Sequence, residues 1–247
     1  MTIFEIPVLL DIFDGFTPQG SWLAGKLGSF LGEDMLLDVY AHFRATTGGG
    51  PVGMIESEVP RRDNKAFGAY PVPSVRDLDA WLVQDGSLMA CECKQWTASS
   101  ADTRRPVPAD PQALADFARA QWAVLITPEV WQEMWTGTTK IALPLKPPTG
   151  WSEQAAADAR RVLIIWRPLS ETGTGCESVL ATTTLREGFE TGLEVTVFSA
   201  SLYLRQLLAA GTTALTGNLP RLDAALALLR TVAREGTGGP DSDVVAA

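Results

Sequence analysis

The amino-acid sequence predicts an α/β protein with a mixed central sheet flanked by helices. Apolar residues make up 46% of the 247 residues, which is enough for a sizeable buried core. In several segments these residues recur at three- and four-residue steps, as in helices, while other apolar runs are short and bounded by turn residues, as in strands. An Asp85-Gly86 pair between two such runs predicts a two-residue hairpin, so part of the sheet is antiparallel.

The first half of the chain predicts the order helix, three strands, helix, strand, helix. The first helix covers residues 29–44 and ends at the glycines of 48–50, and strands follow at 52–59, 78–83 and 87–94. Before it, residues 1–20 predict a short strand or helix and a loop. After the three strands we expect a helix at 112–119, a fourth strand at 122–126 and a short helix at 128–135.

The second half predicts further strands at 162–166 and 193–198 and amphipathic helices at 201–208 and about 220–234. We therefore divide the chain into a core over 1–137 and an α/β extension with a C-terminal tail. The extension covers 138–235, and packing on the same sheet as the core is one option for it. Residues 236–247 predict a disordered tail.

Composition narrows the classes of function. The net charge of −9 argues against a protein that binds nucleic acid tightly and without help through bulk charge. The single histidine, His42, makes His-rich zinc sites and Ser-His-Asp triads implausible, and a structural or surface role is expected for it. Three cysteines, no basic leader and no long apolar run predict a reducing, cytoplasmic location without a membrane span.

A candidate site lies in the hairpin. Asp79 begins one strand, and Glu92 and Lys94 stand near the end of its partner. Strand residues two apart share a face, so the hairpin brings two carboxylates and an ammonium together at one end of the sheet. Two carboxylates can hold Mg²⁺ without enclosing it, and a lysine can orient the attacking water and stabilise charge on a phosphoryl group. The grouping suits phosphodiester hydrolysis.

These residues resemble the PD-(D/E)xK, or restriction-endonuclease-like, superfamily. The resemblance rests on Leu78-Asp79 and on the run from Met89 to Trp96, whose Glu-Cys-Lys-Gln-Trp portion is similar to Mrr-type defence nucleases. It covers residues 28–136 and implies a nuclease core that hydrolyses DNA with Mg²⁺ or Mn²⁺, RNA not being excluded. A restriction or antiphage setting is also implied. Such families often carry a glutamate on the first core helix, where Glu33 stands here, as a further metal ligand.

Basic residues occupy loops on both sides of the candidate site. Because they are few, we expect weak, salt-sensitive DNA binding, and efficient cleavage only with a partner such as an ATPase or helicase, or through self-association. Gln95 either contacts DNA or is an ordinary polar residue at the end of a strand. The proposed nucleic-acid-binding set is Arg61, Arg62, Lys65, Gln95, Arg104 and Arg105.

Two alternatives remain open from the sequence. Glu92 and Lys94 can also be a same-face ion pair, with Asp79 an ordinary residue at the start of a strand. The other alternative is a non-catalytic adaptor subunit with a nuclease-like fold that binds a protein partner, which the acidic charge and the extension after residue 138 fit. Glu56 or Glu58, which share a strand face, is either a further metal ligand or part of a solvated edge.

Overall fold

A computed structural model describes residues 2–15, 22–48, 50–56, 79–94, 106–121, 147–171, 174–185 and 193–237. Six helices lie within these ranges. None of the described helices is both long and apolar enough to cross a membrane. The helices are α1 (Ile6–Gly15), α2 (Trp22–Thr47), α3 (Pro111–Gln121), α4 (Glu153–Ala157), α5 (Ala200–Ala209) and α6 (Pro220–Thr237).

Eleven strands lie within the same described ranges and form three sheets. The largest sheet positions the candidate site, while β1 pairs with β11 and the short strands β5, β7 and β8 form a third sheet. The strands are β1 (Thr2–Glu5), β2 (Gly53–Glu56), β3 (Ala80–Gln84), β4 (Ser87–Lys94), β5 (Val107–Pro108), β6 (Arg160–Ile165), β7 (Leu169–Ser170), β8 (Glu177–Ser178), β9 (Leu180–Leu185), β10 (Leu193–Ser199) and β11 (Ala214–Gly217).

The main sheet is mixed and has six described strands in the order β2-β3-β4-β6-β10-β9. Strand β3 is antiparallel to both of its neighbours, β2 and β4. Strand β6 then lies parallel to β4, and β10 lies parallel to β6, while β9 at the far edge is antiparallel to β10. The carboxyl ends of β4, β6 and β10 therefore meet at one edge of the sheet.

Helices cover both faces of this sheet. Helices α2, α5 and α6 contribute to a core that includes Ala80, Cys91 and Cys93, and we call this side the α2 face. Helices α3 and α4 contribute to a second core that includes Trp81 and Ala90, and we call this side the α3 face. The protein is thus a mixed α/β structure with the sheet as its middle layer.

The β3–β4 hairpin forms as its sequence predicts. Asp85 and Gly86 both adopt positive φ angles, 51° and 72°, which is the geometry that a two-residue hairpin turn requires. Strand β4 is buried on both faces, because every residue from Leu88 to Cys91 is buried. A strand in this position lies near the centre of a sheet rather than at an edge.

Several predicted helices and strands correspond to elements of the structure, and other predicted elements lie outside the described residues. The predicted elements at 29–44, 87–94, 162–166, 193–198, 201–208 and 220–234 correspond to α2, β4, β6, β10, α5 and α6. Strand β6 lies in the stretch that we assigned to the extension, and it belongs to the same sheet as the hairpin. The predicted strand at 122–126 and helix at 128–135 lie outside the described residues, as do 57–59 and 238–247.

Candidate active site

The register of the hairpin brings Asp79 and Glu92 together. Ala80 pairs with Cys91, and Trp81 pairs with Ala90 one step further towards the turn. The next position outward from Ala80 therefore sets Asp79 opposite Glu92. Since alternate residues share a face, both have the direction of Trp81 and Ala90, towards α3. Both carboxylate residues are partly exposed.

Asp79 also terminates the hydrogen bonding between β3 and β4. Its Oδ2 atom accepts a hydrogen bond of 2.6 Å from the backbone N–H of Cys93. A carboxylate thereby occupies the position that a strand carbonyl would take if the ladder continued. A short bond to a carboxylate is strong, so it fixes the orientation of the Asp79 side chain beside β4.

The negative charges of both carboxylates affect the pKa of the neighbouring Cys91 thiol. Burial raises the pKa of Cys91 above its usual range, and the negative charges of Asp79 and Glu92 raise it further, while Arg221 opposes them. The thiol therefore stays protonated and is not a nucleophile. Cys91 and Cys93 are both buried on the α2 face and form no disulfide. Both side chains lie on the same face of β4, as residues two apart in a strand do.

Lys94 is the last residue of β4, and its backbone pairs with Ile165 of β6. Its position in β4 is two residues from Glu92, and therefore on the same strand face. It stands at the edge of the sheet where β4 and β6 both end. Its side chain lies outside what the structure describes. The role predicted for its ammonium therefore stays a prediction, now with a defined backbone position.

Glu33 belongs to α2, and its side chain also lies outside the described part of the structure. Helix α2 runs antiparallel to β4, because the Tyr40 hydroxyl contacts Met89 and Arg44 contacts Gln84 near the hairpin turn. Seven helical residues span roughly 10 Å, which is about three strand residues. The backbone of Glu33 thus stands level with that of Glu92, on the helix that covers the opposite face of the sheet.

The remaining predicted site residues lie in segments that the structure leaves undescribed. The same holds for Glu58 and for the side chain of Glu56, whose backbone pairs with Ala80. Their proximity to the carboxylates stays a prediction. The undescribed members of the nucleic-acid-binding set are Arg61, Arg62, Lys65, Gln95, Arg104 and Arg105.

One basic residue at this edge was absent from the set predicted by sequence. Arg167 lies two residues after the end of β6, is 9% exposed, and places its guanidinium carbon 5.7 Å from the centre of the Phe117 ring of α3. It donates a hydrogen bond of 3.2 Å to the Pro106 carbonyl. Its charge is therefore on the α3 face, as are Asp79 and Glu92. A lone arginine after a strand carries no pattern, so sequence reasoning had no reason to select it.

His42 has the structural role that the sequence favours. Its Nδ1 atom lies 2.8 Å from the Tyr203 hydroxyl, which also lies 3.1 Å from the Thr46 hydroxyl. Burial lowers the pKa of His42. The three side chains join α2 to α5 on the α2 face, away from the carboxylates.

The donor chemistry of the site fits a hard cation. Asp79 and Glu92 supply only carboxylate oxygens, which Mg²⁺ and Mn²⁺ prefer. Within the described ranges no group of three or more His, Cys, Asp or Glu side chains is arranged to hold a metal ion. A site built on this pair would complete its coordination with water, substrate oxygens or a ligand from the undescribed segments.

Comparison of the chain with protein-family models, with curated proteins and with solved structures finds no match in any of the three.

Proposed function

We propose that the chain is a metal-dependent nuclease that hydrolyses DNA phosphodiester bonds through Asp79, Glu92 and Lys94. One observation carries the proposal: the register of β3 and β4 sets Asp79 opposite Glu92 on one face, at the edge where β4 ends with Lys94. Paired carboxylates beside a strand-end lysine are the arrangement that the resemblance to PD-(D/E)xK nucleases implies.

The topology around the hairpin supports the same proposal. The resemblance implies a mixed sheet flanked by helices with a helix before the hairpin, and α2 precedes β2, β3 and β4. Helix α3 follows on the opposite face, and β6 returns parallel to β4. We propose on this basis that α2, β2, β3, β4, α3 and β6 form a restriction-endonuclease-like core.

Each residue has a chemical task in this proposal. Asp79 and Glu92 hold Mg²⁺ or Mn²⁺, which when bound supplies charge stabilisation at the phosphoryl oxygens and a more acidic water. The backbone bond from Cys93 keeps the Asp79 carboxylate oriented before substrate binds. Lys94 orients the attacking water and stabilises the negative charge that develops on phosphorus-bound oxygens.

The test separates metal binding from cleavage. Purified protein is incubated with linear, circular and single-stranded DNA and with RNA, in Mg²⁺, in Mn²⁺ and in a chelator. Mn²⁺ binding is followed by the paramagnetic signal of the free ion. We expect metal-dependent cleavage by the parent and none by Asp79→Asn. An Asp79→Asn protein that folds, yet cleaves as fast as the parent, contradicts the proposal.

Delivery of the substrate needs a second component in this proposal. At a net charge of −9 the chain repels a polyanion at long range, and salt confines any local attraction to roughly 10 Å. We therefore propose weak DNA binding by the isolated chain and efficient cleavage with an ATPase, a helicase or further copies of itself. Tight binding by the purified monomer at physiological salt contradicts this part and leaves the active-site proposal intact.

A non-catalytic adaptor is the second candidate, and one contact favours it. The Asp79 carboxylate accepts a backbone hydrogen bond, as a purely structural residue at the end of a ladder would. In that case Asp79→Asn changes stability alone, and neither Mg²⁺ nor Mn²⁺ binds at Glu92. The Mn²⁺ titration of parent and Glu92→Gln proteins distinguishes the two functions without any substrate.

A further inference from the structure

A small cavity of about 90 Å³ lies at the other end of the hairpin, beside the turn. Its lining residues on β4, Ser87 and Met89, lie five and three residues from Glu92, roughly 17 Å and 10 Å at the usual rise of a strand, so it is separate from the candidate active site. Two arginines from distant segments meet there. The lining residues are Arg44, Gln84, Asp85, Ser87, Met89 and Arg160.

The Arg44 side chain is held in place by a buried amide. Its Nε donates a hydrogen bond of 3.0 Å to Gln84 Oε1. Gln84 is only 4% exposed, and its Nε2 donates to the carbonyls of Arg44 and Gly50 at 3.2 and 3.1 Å. The terminal nitrogens of Arg44 make no hydrogen bond to a described residue. The guanidinium is therefore anchored at one edge and presents its other donors to the cavity.

Glycines make this anchor possible. A Cβ atom at Gly48 would lie 2.6 Å from Gln84 Nε2 and 2.8 Å from the Arg44 carbonyl. A Cβ at Gly50 would lie 2.9 Å from Asp85 Oδ1. At Gly48 the backbone thus approaches the Gln84 side chain and the Arg44 carbonyl more closely than a residue with a Cβ atom could.

Arg160 supplies the second cation. It is the first residue of β6, is exposed, and forms no ion pair with any carboxylate in the described ranges. Burial raises the pKa of Tyr40, and the positive charges of Arg44 and Arg160 both oppose that rise. Asp85 is the only acid among the lining residues, which leaves the cavity with a net positive charge.

Arg44 by itself has an ordinary explanation, since it lies in the last turn of α2, where a cation stabilises the helix end. That explanation does not account for Arg160, which comes from a different element and approaches the same point. Two like charges at one place repel each other, and an anion between them relieves the repulsion.

We propose that this cavity binds a phosphate group, either as inorganic phosphate or as the phosphate of a small monoester. Guanidinium groups bind tetrahedral oxyanions through paired N–H donors, and the Ser87 hydroxyl adds a neutral donor. The volume admits one such group and leaves the remainder of a larger ligand outside. This inference stands independently of the nuclease proposal.

Isothermal titration of the metal-free protein with sodium phosphate tests it, with sodium chloride of equal ionic strength as the reference. We expect saturable binding in about the millimolar range for the parent. Arg160→Gln should weaken it by roughly tenfold or more, because a charge-assisted hydrogen bond is lost. Arg205→Gln, which removes the same charge from an exposed position on α5, should bind phosphate like the parent.

Arg160→Gln is the primary variant because the Arg160 side chain makes no hydrogen bond to a described residue, so its replacement should not affect folding. Thermal melting without phosphate verifies this. Equal phosphate affinity in the parent, Arg160→Gln and Arg44→Gln overturns the inference, and so does the absence of saturation at tens of millimolar, on the order expected for bulk screening alone. Titration with adenosine 5′-monophosphate and with adenosine then identifies the source: tighter binding of the monophosphate than of phosphate indicates a monoester, and equal binding indicates the free ion.

Discussion

The two ends of the β3–β4 hairpin carry opposite charge. At the open end the carboxylate residue Asp79 lies opposite the carboxylate residue Glu92. At the turn end Arg44 and Arg160 meet around a small cavity that a buried glutamine supports. One end of the hairpin therefore carries two carboxylates, and the other end carries two guanidinium groups. The difference shows that a protein with a net charge of −9 still concentrates positive charge where two elements converge.

The largest expected effect is the loss of DNA cleavage when residues at the open end of the hairpin are replaced. Glu92→Gln and Lys94→Ala should each lower cleavage by about 10²–10⁴-fold, because each removes a group that stabilises charge in the transition state. Phosphate binding at the turn end should stay at the parental level. Single-turnover cleavage and phosphate titration on the same preparations measure both.

A matched control sharpens this comparison. Glu194→Gln removes an exposed carboxylate at the opposite edge of the sheet, where β10 begins, and should cleave like the parent. If Glu194→Gln and Glu92→Gln lose activity equally, the effect follows overall charge and the open end has no special role.

The next largest effect concerns Asp38, which lies on α2 between the two ends and is 1% exposed. Its Oδ2 accepts hydrogen bonds of 2.8 Å from the backbone N–H groups of Arg221 and Leu222, at the start of α6. Burial raises its pKa from 3.8 to about 6, although these two bonds oppose the rise. Helix α6 is thereby capped by a residue of another helix.

The sign of the pH dependence follows from that pKa. Between pH 4 and 6 the folded state binds a proton at Asp38 more tightly than the unfolded state does, so this residue makes the protein more stable as the pH falls from about 7 to about 4. The upper limit is roughly 3 kcal/mol. Asp38→Asn should flatten the curve of unfolding free energy against pH, measured in urea.

Asp116→Asn provides the comparison for Asp38, because Asp116 is an exposed carboxylate on α3. The curve of unfolding free energy against pH should be flatter for Asp38→Asn than for Asp116→Asn. A parental slope in Asp38→Asn would show that the buried carboxylate does not govern stability in this range.

Gln84→Ala should destabilise the protein by about 1–3 kcal/mol, because it removes two buried donors and the acceptor that holds Arg44. Gln206→Ala on the exposed side of α5 is the control and should change stability little. Phosphate affinity should fall with Gln84→Ala if the amide positions the guanidinium. Unchanged affinity in a folded Gln84→Ala protein would show that Arg44 needs no such support.

The smallest expected effect is that of Glu33→Gln, which should lower activity by about tenfold and weaken the dependence on metal concentration. The effect is small because the helix that carries Glu33 covers the face opposite to Asp79 and Glu92. Cleavage at the parental rate with an unchanged metal titration would remove Glu33 from the site.

Local sequence signals predicted the hairpin and the pairing at its open end. A two-residue turn fixes the register of the strands on either side, so Asp79 and Glu92 follow from Asp85-Gly86 alone. The neighbour of β4 did not follow, because β6 pairs with it across a long stretch of chain that carries no turn signal between them. The cavity could not be predicted from the sequence either, because Arg44 and Arg160 are far apart in the chain and come together only in the folded protein.

The parallel pairing of β4 with β6 also has a kinetic consequence. It joins residues as distant in sequence as Met89 and Arg160, whereas the β3–β4 hairpin closes across two residues. Closing a long loop costs entropy before any contact is gained, while a hairpin forms within microseconds. The amide hydrogens of β4 that point to β3 should therefore gain protection from exchange early in refolding, and those that point to β6 should gain it later. Hydrogen exchange along β4 would then distinguish two stages of folding, the pairing with β3 and the later pairing with β6.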